Sequence, residues 1–260
     1  MAARIGAHSP RLARVRKLRS SKGRAEHGLF AFEGLTLLQE ARASSFAIEE
    51  LFVTPEAYAA TPLLREIEAD GATVHLVDAA GAKQLSDLTT PAGIVVVARP
   101  RRCDLQAIFA GASPALVLAD LGDPANVGTL LRSADAFGCG GVVFGPLGVE
   151  PYHPKVVRGS MGATFRLRMA VASPPEVAAA AAAGHVRLLG LDARGTALTG
   201  ELREGPAALV IGHERRGLGP WEALCDALIA LPMRGRAESL SAGVAGSIAL
   251  FEASRTYPRQ

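Results

Sequence analysis

Apolar residues recur along this chain in two rhythms, short unbroken runs and spacings of three and four. Runs at 29–32, 48–53, 74–77 and 94–98 read as strands. The amphipathic stretches between them, 35–43, 62–69 and 79–85, read as helices. Ahead of these, Leu12, Val15 and Leu18 mark one face of a single N-terminal helix. The rhythm resumes after the turn at 111–114. A strand over 115–119 is followed by a helix whose apolar face is Leu130, Leu131, Ala134 and Phe137. A strand over 208–211 comes next, and a last helix presents Leu240, Val244, Ile248 and Phe251. The alanine-rich stretch 175–183 predicts a surface helix. Strands alternating with helices predict the α/β class and a parallel sheet.

The run Arg99-Pro100-Arg101-Arg102 interrupts this alternation and reads as the start of a linker. Two domains are therefore expected, over 1–105 and 112–260, joined near 100–112. A chain of 260 residues is long enough for each to bury its own core.

Composition narrows the chemistry. The hydrophobic share of 49% is inflated by alanine, and no apolar stretch reaches the length of a membrane-spanning helix. The N-terminus lacks the apolar core of a signal peptide. Cys103, Cys139 and Cys225 are odd in number and far apart, which excludes a disulfide framework or a zinc pattern. A reduced, cytoplasmic protein is expected. Net charge is only +3, but residues 1–24 hold Arg4, Arg11, Arg14, Arg16, Lys17, Arg19, Lys22 and Arg24 without one acidic residue. Such a block is the electrostatic footprint of a polyanion-binding element.

Three segments carry the candidate chemistry. Leu118 to Gly138 joins a strand, a turn at Asp123-Pro124, and a helix start at which Asn126 reads as the cap. Arg132 follows about a turn and a half later, where a cation opposes the helix dipole. Gly128 marks a close backbone approach. Leu209 to Gly219 places Gly212, Gly217 and Gly219 around Glu214 just past a strand, where backbone N–H groups can turn toward a ligand. Leu231 to Glu252 opens with a loop bearing Arg234 and Arg236, then Ser239 as the expected helix cap. No Gly-Lys pair exists for a P-loop, and no G-x-G-x-x-G follows the first strand of either domain. His213-Glu214 lacks the second histidine of a zinc protease, since residue 217 is glycine. Ser160 has the wrong glycine spacing for a nucleophile elbow, and the histidines show no metal-ligand spacing. No metal is expected.

Together and in this order the three segments resemble the motifs of the SpoU (TrmH-like) RNA ribose 2′-O-methyltransferases, of the knotted SPOUT class. The resemblance covers roughly 112–260 and includes the bridging run from Pro154 to Ala163. A weaker similarity, carried by Phe30 to Ala41, extends to the ribosomal-protein-L30e-like substrate-binding domain of rRNA-modifying members. The resemblance implies a deep trefoil knot in the chain after about residue 205, S-adenosyl-L-methionine as methyl donor, and a homodimer with active sites near its interface. It implies a catalytic set of Asn126, Arg132, Glu214, Ser239 and Ser241. It places the donor at Gly212, Leu231 and Leu240, with Ile211, Gly217 and Met233 beside them. The substrate it favours is ribosomal RNA, 23S in particular, over transfer RNA. Expected RNA contacts are Arg11, Arg14, Arg16, Lys17, Arg19, Arg101 and Arg102, with Lys155 and Arg158 in the second domain.

Two details set this chain apart. Ser241 stands where the family usually carries Asn, and His213 with Arg215-Arg216 replaces commoner small or acidic residues. A non-catalytic rRNA-binding protein on the same scaffold is the rival reading, and titration with the donor separates the two. The resemblance gives Arg132 the task of taking the hydroxyl proton. A guanidinium with a pKa above about 12 is a poor base, so an alternative is that Arg132 stabilises the developing alkoxide while the proton leaves to phosphate or water. Three further expectations follow. Gly212→Val should abolish donor binding and spare the fold. Deleting 1–24 should weaken RNA binding alone. The Val244–Ile248–Phe251 face should either form part of a dimer interface or pack within its own domain.

Overall fold

The computed structural model describes residues 3–111, 113–198 and 205–255. Residue 112 and the outermost residues of the two expected domains lie outside that set. The chain divides into two compact units, one running to Arg101 and including Tyr152–Pro154, the other from Arg102 to Pro151 and from Lys155 onward.

The first unit comprises β1 (Ala3–Ile5), α1 (Pro10–Lys17), α2 (Ser21–His27), β2 (Phe30–Glu33), α3 (Leu35–Ala43), β3 (Ile48–Val53), α4 (Pro55–Ala60), α5 (Pro62–Ala69), β4 (Thr73–Val77), α6 (Ala79–Leu85) and β5 (Ile94–Ala98). Its sheet runs β1-β4-β3-β5-β2. β1, β4 and β3 pair in parallel, while β5 is antiparallel to both β3 and β2. The expected N-terminal helix is two helices. Ser20 breaks it, because its hydroxyl accepts from the Gly23 N–H at 3.1 Å and starts a new helix. Leu12, Val15 and Leu18 are buried against Phe52, Val77, Leu85, Val95 and Val97. The basic segment is thus a wall of this core, and each of those side chains contributes about 1.5–3 kcal/mol of burial.

The second unit comprises α7 (Leu105–Phe109), β6 (Ala115–Ala119), α8 (Pro124–Ala136), β7 (Gly141–Phe144), α9 (Pro154–Gly159), α10 (Ala163–Arg166), β8 (Met169–Val171), α11 (Pro174–Ala183), β9 (Arg187–Ala197), β10 (Ala207–Gly212), a 3-10 helix (Gly219–Leu224), β11 (Ala227–Ala230) and α12 (Ala242–Ser254). Its six strands are all parallel, in the order β11-β9-β10-β6-β7-β8. Every residue of β6 and β7 is buried, as strands covered on both faces require. The expected linker holds α7, which Asp104 caps and which buries Ile108 and Phe109. A five-residue helix is too short to show a period in sequence. α11 is not simply a surface helix, since Val177, Ala180 and Ala181 are buried.

Close approaches between elements fall on glycines. A Cβ at Gly128 would lie 3.0 Å from the Gly159 Cα, so α8 and α9 meet backbone to backbone. At Gly246 it would lie 2.5 Å from Leu130 Cδ2, which lets α12 settle onto α8. Between Leu228 and Ile229 the β11 register on β9 jumps from Gly190 to Thr196. Residues 191–195 are passed over by that strand.

Candidate active site

A cleft of about 440 Å³ opens in the second unit, where β9, β10 and β11 end. Ligands in open parallel sheets bind at this end. Asn126 lines the cleft from α8, Leu191 to Ala193 from the bulged β9, and Ile211 to Glu214 with Gly217 from the β10 turn. Ala230, Leu231, Met233 and Glu238 to Ala242 supply the remaining wall with Ala245.

Glu214 is the hub. Its side chain is 22% exposed and accepts from the Gly122 N–H at 3.1 Å, the Asp123 N–H at 3.1 Å and Asn126 Nδ2 at 3.0 Å. Burial pushes its carboxyl up, but the hydrogen bonds from Asn126 and the backbone N–H groups outweigh this and hold it below the ordinary range. The Asn126 amide oxygen in turn accepts from the Gly243 N–H at 3.3 Å, at the start of α12. One side chain therefore ties all three motif segments together. His213 and Gly217 exchange two backbone hydrogen bonds of 2.9 Å, which close the turn bearing Glu214. His213 Nδ1 accepts from the Arg215 N–H at 3.1 Å, so the neutral ring carries its proton on Nε2.

Two helix caps differ from the sequence reading. Asp123, not Asn126, caps α8, accepting from the Ala125 N–H at 2.9 Å, with Pro124 as the first helical residue. That frees the Asn126 amide for Glu214 and Gly243. It also moves Arg132 to the ninth of thirteen helical residues, past the reach of the N-terminal dipole, so the expected conflict does not arise. At α12 the cap is Ser241, whose hydroxyl accepts from the Val244 N–H at 3.3 Å, while Ser239 stands exposed ahead of it. Serine and asparagine are comparably good caps, so a serine at 241 starts the helix as well as an asparagine would.

Gly212 is also explained differently. A Cβ there would sit 2.4 Å from the Gly217 carbonyl carbon and 2.5 Å from the Leu218 nitrogen. Glycine is required by the chain's own turn, so a larger residue disturbs the fold before it meets any ligand.

The six expected donor residues line the cleft, as do Asn126, Glu214, Ser239 and Ser241. Arg132 does not; it is exposed on α8. Sequence reasoning missed Leu191, Asp192 and Ala193, because a long bulge inside a strand leaves no periodic signal. Asp192 is clamped by Arg194, itself paired with Glu222 at 2.8 Å, and these hydrogen bonds lower the aspartate's pKa against its burial. Cys139 and Cys225 are pushed up to about 12 and about 11 by burial, which makes both inert at neutral pH. No group of metal-ligating side chains occurs among the described residues.

The expected RNA-binding cations fall into two classes. Arg14 pairs with Glu50, Arg11 reaches His75 at 3.1 Å, and Arg19 pairs with Asp87 at 2.8 Å. Arg101 donates to the Ser44 carbonyl at 3.0 Å and lies over the Phe46 ring. Arg16, Lys17, Arg102 and Arg158 are exposed, and Lys155, also exposed, has an interaction of its own. Of the other basic residues, Arg24 is buried, donating to the Leu18 carbonyl at 2.7 Å.

Comparison with known proteins converges on one family. The chain is 39% identical over 140 residues to the 23S rRNA (uridine(2479)-2′-O)-methyltransferase of Streptomyces viridochromogenes, covering 51% of this chain and 49% of that protein. The chain thus spans about half the length of that relative. It is 28% identical over 241 residues to the 23S rRNA (guanosine(2553)-2′-O)-methyltransferase RlmP of Bacillus subtilis strain 168, covering 91% and 92%. Among solved structures, an AdoMet-bound rRNA methyltransferase from Sinorhizobium meliloti superposes with a TM-score of 0.88 at 26% identity, over 98% of each chain. The SpoU methyltransferase AviRb of Streptomyces viridochromogenes, in complex with AdoMet, gives 0.85 at 26% identity, over 95% and 98%. An MRM3-like substrate binding domain matches residues 9–96, and the SpoU rRNA Methylase family matches residues 113–251. With that match spanning more than half its length and all three motif segments meeting at one cleft, this chain is a member of the SpoU rRNA methylase family.

Proposed function

We propose that this protein methylates a ribose 2′-hydroxyl of RNA, 23S ribosomal RNA in particular, with S-adenosyl-L-methionine as donor. The observation that carries this reading is the convergence of the donor residues with Asn126, Glu214, Ser239 and Ser241 on a single cleft. Its lining suits the donor. Leu191, Ile211, Leu231, Met233 and Leu240 offer apolar surface to an adenosine, and the charged groups present are carboxylates, with no arginine or lysine. A sulfonium cation is favoured there over an anion.

The donor supplies an activated methyl group on sulfur. The chain's residues have to hold the ribose in line with it, and such positioning is worth on the order of 7–11 kcal/mol in favourable cases. The turn at Glu214 and the start of α12 are fixed to each other through Asn126, so the two walls keep their spacing as ligands enter. Arg132 stabilises the developing alkoxide and the proton leaves to phosphate or water, because a guanidinium cannot accept it at neutral pH.

Leu240, Val244, Ile248 and Phe251 stay exposed, between 40% and 47%, although Phe251 also meets the Phe137 ring of its own domain. This face fits a homodimer interface. Arg132 lies on α8, which packs against α12 and meets it through the Phe137–Phe251 ring pair, so it acts at an active site completed by the partner subunit. The first unit serves as the RNA-binding domain, through Arg16 and Lys17 foremost. The trefoil knot, the 1–105 and 112–260 domain roles and a cytoplasmic location belong to the same reading. No helix among the described residues is long and apolar enough to cross a membrane.

The test is methyl transfer from labelled S-adenosylmethionine to 23S rRNA transcripts, with the site mapped by resistance to alkaline cleavage. Absence of label, together with no binding of donor or its demethylated product at millimolar concentration, would favour the non-catalytic rival.

A further inference from the structure

The charge at the cleft changes sign between its lining and the loops around it. Asp192 and Glu214 line the cleft with partly buried side chains, and Glu238 lines it from an exposed loop. The two loops that wall it, 213–217 and 231–240, carry Arg215 and Arg216 in one and Arg234 and Arg236 in the other. All four are exposed, and among the described residues none has an ion pair or a side-chain hydrogen bond. The basic helices of the first unit differ, since Arg14, Arg19 and Arg24 are committed to partners in their own fold.

Arg215 and Arg216 also sit on a rigid turn. It is closed by the His213–Gly217 bridge, fixed at its base by the Glu214 carboxylate, and braced by the bond from the Arg215 N–H to His213. Two adjacent cations held without a counter-charge repel each other, a cost that an incoming polyanion removes. Guanidinium groups match phosphate oxygens in bidentate geometry. We propose that Arg215, Arg216, Arg234 and Arg236 form a phosphate clamp at the cleft mouth, gripping the RNA backbone on either side of the nucleotide whose ribose is methylated. The clamp rests on the RNA-methyltransferase reading and adds to it the residues that seat the strand.

The test uses the full-length protein with the paired substitutions Arg215→Gln/Arg216→Gln and Arg234→Gln/Arg236→Gln, and the same pairs to Lys. Binding to poly(U) and to a 23S rRNA transcript is measured against salt, alongside KM and kcat for methyl transfer and calorimetric binding of S-adenosylhomocysteine. Each lost phosphate contact removes about 0.7 from the log–log salt slope on single strands, so each Gln pair should flatten it by about 1.4. KM for RNA should rise more than kcat falls, the Lys pairs should restore the slope, and S-adenosylhomocysteine should bind as in wild type. Wild-type slopes in both Gln pairs would overturn the clamp, as would loss of S-adenosylhomocysteine binding in step with RNA. A wild-type protein that binds RNA with these slopes but transfers no methyl group would instead sink the methyltransferase reading and leave the clamp standing.

Discussion

The Asn126 amide spans from Glu214 Oε1, at 3.0 Å from its nitrogen, to the Gly243 N–H, at 3.3 Å from its oxygen. Both ends of the amide are used, so neither an acid nor an alkyl group can replace it. Asn126→Asp sets a carboxylate against Glu214. A destabilisation of about 1–3 kcal/mol is expected at pH 7, shrinking as pH falls and one proton is shared between the two acids. Urea unfolding at pH 7 and pH 4.5 measures this, and equal losses at both would remove the electrostatic account.

Gly212→Ala adds one methyl group where the Gly217 backbone already stands. Overpacking of this kind costs about 1–3 kcal/mol. Donor affinity and thermal stability should therefore fall together. A variant that loses donor binding at an unchanged melting temperature would restore the ligand-space explanation.

Removing residues 1–24 cannot report on RNA binding alone, because Leu12, Val15 and Leu18 line the first core and β1 pairs with β4. The truncated chain should lose the cooperative unfolding of its first unit. Arg16→Gln/Lys17→Gln, both exposed, should keep the melting temperature and weaken rRNA binding with a shallower salt slope. Unchanged rRNA affinity in that variant at low salt would make these cations bystanders.

Val244→Asp/Ile248→Asp should cost the isolated protomer little, since both side chains are exposed. If α12 pairs two copies, sedimentation should show the variant as a monomer at concentrations where wild type is a dimer. A monomeric wild type at micromolar concentration counts against the dimer.

His75 is 2% exposed, beside Phe52 and among Glu50, Arg11 and Arg14. Burial lowers its pKa, with Arg11 and Arg14 adding to that and Glu50 opposing it. A group that binds its proton more readily when unfolded withdraws stability as pH falls below its unfolded value, near 6.5, toward the lower folded value. The first unit should weaken over that window, and His75→Gln should flatten the dependence. A pH profile unaltered by the substitution would place the effect elsewhere.

The sequence by itself determined the alternating strands and helices, because each buried element writes its period directly into the chain. α3, β3, α5, α6, β5 and β6 occupy the residues their patterns predict. It also marked the residues that meet at the cleft, because motif spacing survives as linear order. The tertiary structure alone decided what those residues do for one another. Asn126 reads locally as a cap, and it is a tether only because Glu214 and Gly243, 88 and 117 residues away, arrive at its two ends. Gly212 reads as room for a ligand, and it is room for Gly217. The basic N-terminus reads as a polyanion-binding helix, yet Glu50 and Asp87 reach Arg14 and Arg19 from distant elements. Periodicity is a property of neighbours along the chain, whereas hydrogen-bond partners, counter-charges and steric limits are set by neighbours in space.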